Sequence, residues 1–104
     1  MTTSTTSQSK TQGSTWTFLS NHGHVMICLA KQPDSRLRDV AQLVGITERA
    51  VQSILQDLEA NGAITRIREG RRNRYEIHDE IPLRHPLESH CTIRDLLTLA
   101  QPAR

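Results

Sequence analysis

The sequence predicts a small, mainly α domain carrying one antiparallel β hairpin, an α+β fold. Three observations predict it. Residues 35–62 hold two helical apolar patterns parted by a tight turn at Gly45-Ile46-Thr47. Residues 63–77 change from a helical period to a period of two around Gly70. Arginines crowd the tip of that hairpin. Helix, turn, helix and basic hairpin, in that order, are how a small domain sets one helix in a DNA groove and a loop on the backbone.

The elements follow in chain order. Residues 1–15, MTTSTTSQSKTQGST, are nearly free of apolar side chains and cannot offset their own ordering entropy, so a disordered tail is expected there. With no apolar core region, the tail does not read as a signal peptide. The folded part is expected over residues 16–104, one domain with a thin stability margin. Trp16 and Phe18, two of the three aromatics, open it and are expected to be buried. A first helix is predicted from Ser20 or Asn21 to about Lys31, with Val25, Cys28, Leu29 and Gln32 on one face and Pro33-Asp34 ending it. Arg36-Leu37-Arg38 reads as a very short strand. A second helix follows over about 38–44, with Val40, Ala41, Leu43 and Val44 as its buried face and Gly45 just past its end.

The third helix has the clearest signature. Thr47 is a good N-cap, and Ile46 with Val51 forms a hydrophobic staple. Val51, Ile54, Leu55 and Leu58 follow the i, i+3, i+4, i+7 pattern of a core-facing stripe. Glu48, Arg49, Gln52, Ser53, Gln56 and Asp57 are left outward, and Asn61-Gly62 closes the helix. In the hairpin, Thr65 and Ile67 share a strand face, as do Tyr75 and Ile77. Beyond His78, Pro82 and Pro86 oppose regular structure. Thr92 with Asp95 then resembles a capping box for a last helix over about 92–101, whose stripe is Ile93, Leu96, Leu97 and Ala100. A helix this short must dock on the first helix or on a second copy.

Charge and cysteine usage narrow the function. The formal net charge is only +2, but Arg66, Arg68, Arg71, Arg72 and Arg74 fall within nine residues, with Glu69 the one acid among them. Such a cluster suits a polyanion better than the overall charge does. Cys28 and Cys91 are widely spaced and read as reduced thiols of a cytoplasmic protein. No apolar run approaches the roughly 18 residues a membrane span needs. An enzyme is not expected, because the chain has no phosphate-binding glycine loop, no zinc-protease pattern and no nucleophile elbow. No cofactor or metal is expected.

Residues 16–100 resemble the winged helix-turn-helix transcription regulators of the MarR and ArsR kind, a DNA/RNA-binding three-helical bundle type. The similarity is greatest to small stand-alone bacterial members with stretches like GITERAVQ, EGRRNRYE and RHPLE, here residues 45–52, 69–76 and 84–88. The resemblance implies a three-stranded wing. It also implies a recognition helix over residues 47–59, a wing over residues 66–74, and a homodimer through residues 16–31 and 92–101. The longer C-terminal helix pair of many MarR-type proteins has no counterpart in the single short segment here.

A sequence-specific regulator bound to double-stranded DNA is therefore expected. Gln pairs with adenine and Arg with guanine in bidentate fashion, so Arg49 and Gln52 are the candidate base readers, extended by Ser53 and Gln56. The helix start at Thr47 presents backbone N–H groups to a phosphate. Arg68, Arg71, Arg72, Asn73 and Arg74 are expected on the backbone or in the minor groove. Alternation can turn Arg66 or Arg68 inward. Two alternatives stay open. One is a metal- or redox-responsive regulator using His22, His24, Cys28, His85, His90 and Cys91. The other is a winged-helix module that binds RNA or protein.

Overall fold

The computed structural model describes residues 16–102, and the tail expected over residues 1–15 lies outside them. Along the chain come α1 (Asn21–Lys31), α2 (Leu37–Val44), α3 (Glu48–Ala60), β1 (Ile64–Glu69), β2 (Arg72–Ile77) and α4 (Ile93–Leu99). The result is an α+β domain of four helices and one two-stranded antiparallel sheet. Ser20 caps α1, its side chain accepting from the Gly23 N–H at 3.4 Å, and Val25, Met26 and Leu29 turn into the core.

The expected strand at Arg36-Leu37-Arg38 is absent, because α2 already begins at Leu37. Leu37 opens an i, i+3, i+4, i+7 stripe with Val40, Ala41 and Val44, so helical burial outweighs a three-residue strand. Leu43 lies off that stripe and is 75% exposed, contrary to the buried place expected for it. Gly45 then ends α2 in the left-handed region, φ 87°, and its N–H donates to Ala41 O at 2.8 Å.

The sheet has two strands rather than the three expected of a wing. What stands where a third would be is one backbone bond, from the Tyr75 N–H to Pro33 O at 3.0 Å. Pro33 has no N–H to return and α2 starts four residues on, so no ladder can extend. The register pairs Ile64 with Ile77, Arg66 with Tyr75 and Glu69 with Arg72. Gly70 (φ 62°) and Arg71 form the two-residue loop, with glycine where the turn requires positive φ.

The core is drawn from every helix and both strands. It comprises Val25, Met26, Leu29, Val40, Ala41, Val51, Ile54, Leu55, Ala63, Ile64, Tyr75 and Ile93. Trp16 and Phe18 are not in it, contrary to the burial expected for them. They are 72% and 92% exposed and stack edge-to-face on each other, with centroids 4.8 Å apart. They lie ahead of α1 with no described element folded over them.

α4 docks on α1 of its own chain. The capping box forms as expected, with the Thr92 N–H donating to Asp95 Oδ2 at 2.8 Å and the Asp95 N–H to Thr92 Oγ1 at 3.4 Å. Arg94 fastens the helix start to the end of the hairpin by donating from Nε and Nη2 to the two oxygens of Asp79, each at 3.1 Å. Those bonds hold the Asp79 carboxyl below its ordinary range.

This packing sets two expected outcomes. Leu29→Ala lowers the free energy of unfolding by about 2–5 kcal/mol, whereas Leu43→Ala, the same deletion on the surface, changes it by less than about 0.5 kcal/mol; urea titration separates them. Asp79→Asn lowers the melting temperature at neutral pH. Because the folded-state pKa is depressed, the wild-type advantage is fully present above the unfolded carboxyl value of about 3.9 and is lost as pH falls through the folded value. Melting curves of both proteins should therefore converge in acid.

Candidate nucleic-acid interface

The site is built on α3 and the hairpin. Thr47 caps α3 through its hydroxyl, which accepts from the Ala50 N–H at 3.0 Å, and Ile46 packs at the core edge as a staple should. With Val51, Ile54 and Leu55 buried, the opposite side of the helix is fixed outward. Arg49, Gln52, Ser53 and Gln56 recur at i, i+3, i+4 and i+7, so they form one exposed stripe. The acids beside the stripe are partly drawn away. His22 Nε2 donates to Asp57 Oδ2 at 2.8 Å, and Arg66 Nη2 lies 3.5 Å from Glu59 Oε1. Glu48 stays at the first turn, where its charge suits the helix dipole.

The hairpin divides its arginines by face. Arg66 pairs across the strands with Tyr75 and turns toward α3, its guanidinium 6.0 Å from the Tyr75 ring centre. Arg68 Nε donates to Gly70 O at 3.1 Å and so curls over its own turn. Arg74, on the opposite face, donates from Nε to Glu69 Oε2 at 3.3 Å. Arg72 Nη2 donates to Asp34 O at 2.8 Å and ties the hairpin tip to the α1–α2 loop. Arg71, at the second position of the loop, is exposed and in no ion pair among the described residues.

A cleft separates the hairpin tip from the start of α2. Arg71, Arg72, Asn73 and Tyr75 line one wall, Asp34, Ser35, Arg36, Leu37 and Arg38 the other, and Glu48 of α3 closes the end. Of the expected site residues, Arg71, Arg72 and Asn73 therefore meet here. The α3 stripe is a separate but adjacent surface, and Arg68 and Arg74 fall outside the cleft. Arg36 and Arg38 were missed by sequence reasoning. Reading them as strand residues hid the signal that was present, two arginines at a helix start shortly before the turn.

Among the described residues no three His, Cys, Asp or Glu side chains gather as a metal site would require. His22 is occupied by Asp57, and burial pushes the Cys28 thiol up, away from the reactive thiolate. None of the described helices is long and apolar enough to cross a membrane. The sequence matches no model of a known protein family and no curated protein.

The cap allows a direct check on how the stripe is held. Thr47→Ala should cost about 1 kcal/mol of stability while Thr47→Ser restores it, as measured by denaturant unfolding.

Proposed function

We propose that the chain is a sequence-specific, double-stranded DNA-binding transcription regulator of the winged helix-turn-helix, MarR-like type. One observation carries the reading. A polar stripe of Arg49, Gln52, Ser53 and Gln56, free of core duties, lies on a rigid capped helix beside a hairpin tip bearing Arg71 and Arg72. In this reading α3 enters the major groove, where Gln52 and Arg49 meet base edges. The hairpin serves as the wing, with Arg71 foremost on phosphates or in the minor groove. Chemistry on a substrate has no part in it.

The reading includes a homodimer through residues 16–31 and 92–101. Exposed Trp16 and Phe18 adjoin α1, and a groove lined by Phe18, Leu19, Met26, Leu83 and Leu96 runs beside them. The groove is lined also by His22, Asp57, Arg84, His85 and Glu88, and a mixed apolar and polar surface of this kind suits a second copy.

Selection of bound duplexes from a random pool, at about 150 mM salt where non-specific affinity is largely screened, tests the reading. The expected product is a palindrome with half-sites about one helical turn apart. Gln52→Ala should then lose about 1–3 kcal/mol of discrimination at one base pair of the half-site. Enrichment of no sequence would count against base reading by α3.

A further inference from the structure

We propose that the open outer edge of β2 takes one extended strand of an acidic peptide from a protein partner, laid in the cleft between the hairpin and the start of α2. The slot stands on the geometry of β2 alone. Its consequence, competition between that peptide and DNA for the hairpin tip, rests on the duplex reading above.

The register of the hairpin fixes which backbone groups are free. The Tyr75 N–H leaves the ladder for Pro33 O at 3.0 Å, so Tyr75 and Arg66 face each other without hydrogen bonds between them. Asn73 and Arg68 lie two residues on in the same register and form a pair of the same kind. The Asn73 N–H, the Asn73 C=O and the Tyr75 C=O therefore point away from β1, on the side where both residues line the cleft. Among the described residues no backbone bond reaches these groups from outside the hairpin. The Ser35 N–H, on the facing wall, is committed to Gln32 O at 3.1 Å. A third strand would satisfy the edge, but α2 begins at Leu37 and takes the chain away.

Hydrogen bonding and charge set the class of occupant. Free carbonyls require donors, and a phosphodiester has none to offer. An extended peptide presents both N–H and C=O to such an edge at every second residue. The side chains are chosen by the walls, where Arg36, Arg38, Arg71 and Arg72 stand against Asp34 and Glu48. Arg38 and Arg71 are exposed and in no ion pair among the described residues. Arg36 is held only by Asp39 at 3.7 Å, with both side chains more than half exposed, a pairing worth little in water. Arg72 donates to Asp34 O at 2.8 Å and so bridges the hairpin and the loop before α2. A strand bearing carboxylates meets arginine on both walls, and a basic strand is repelled by them. Because Pro33 already holds the Tyr75 N–H, the ladder cannot run past that point, and the slot suits a short segment.

The probe is a capped peptide of alternating glutamate and valine, about six residues long as strands commonly are. It is titrated into the full chain at about 150 mM salt, where diffuse attraction is screened. It should bind saturably and slow amide exchange at Asn73. The same peptide with every amide N-methylated keeps the charge, lacks the donors and should bind at least about tenfold more weakly. A lysine–valine peptide should not bind. Asn73→Pro removes an edge donor that β1 does not use and should weaken the acidic peptide by a similar factor. If that variant unfolds, the N-methylated peptide decides the point with the wild-type chain. Added to the protein on a selected duplex, the acidic peptide should raise the apparent Kd for DNA. Absence of binding, equal binding of the N-methylated peptide, or unchanged exchange at Asn73 overturns the slot and leaves the duplex reading standing. Peptide binding with no effect on duplex affinity overturns the competition. Peptide binding by a chain that selects no duplex overturns the duplex reading and leaves the slot standing.

Discussion

The apolar stripe of α1 is the constraint to which the other elements are referred. Val25, Met26 and Leu29 are all but sealed from solvent, and α1 packs against α2, α3, β2 and α4. The largest fully buried side chains are Leu29 and Val25 of α1, Val40 of α2, Val51 of α3 and Ile64 of β1. A core this thin has no second layer to correct a misplaced element, so each helix is located by one or two such contacts. The outward side of α3 and the hairpin tip carry none of that burden. They can hold polar and cationic side chains without loss of packing, and that division of labour leaves a readable surface on so short a chain.

Five arginines within nine residues would repel one another if all were free. The fold distributes them instead. Arg66 meets Glu59, Arg68 its own turn, Arg72 the α1–α2 loop and Arg74 Glu69, so Arg71 alone of the five projects without such a partner among the described residues. The two exposed ion pairs, Arg66 with Glu59 and Arg74 with Glu69, contribute little stability, roughly 0–1 kcal/mol each, so a phosphate can draw either arginine away at small cost. Of the three acids of α3, Glu59 is paired with Arg66 and Asp57 accepts a hydrogen bond from His22, while Glu48 sits at the first turn, where its charge suits the helix dipole.

Periodicity and caps make most of this fold legible in the sequence. α1, α3, the hairpin and the capping box of α4 lie where Ser20, Thr47, Gly70 and the Thr92/Asp95 pair put them, because those signals act through local backbone chemistry. The misreadings share a different cause. Arg36-Leu37-Arg38 alternates like a strand, and only the tertiary burial of Leu37 with Val40, Ala41 and Val44 decides for helix. Leu43 looked buried because it is apolar, yet it lies off the stripe. Trp16 and Phe18 looked buried because aromatics usually are. The α3 stripe was legible from spacing alone, whereas the pairing of Asp34 with Arg72 joins residues 38 apart in sequence, and no local pattern announces it.

The exposed apolar surface lies at the far end of α3 from the basic cleft. Leu58 and Asn61, near the C-terminus of α3, line the groove with Phe18, Met26, Leu83 and Leu96, while Glu48 at the N-terminus closes the cleft. The helix has 13 residues, and at about 1.5 Å per residue the two surfaces stand roughly 20 Å apart. Had the groove lain beside the cleft, pairing of two copies would have covered the arginines. Its position instead leaves both reading faces of the proposed dimer open.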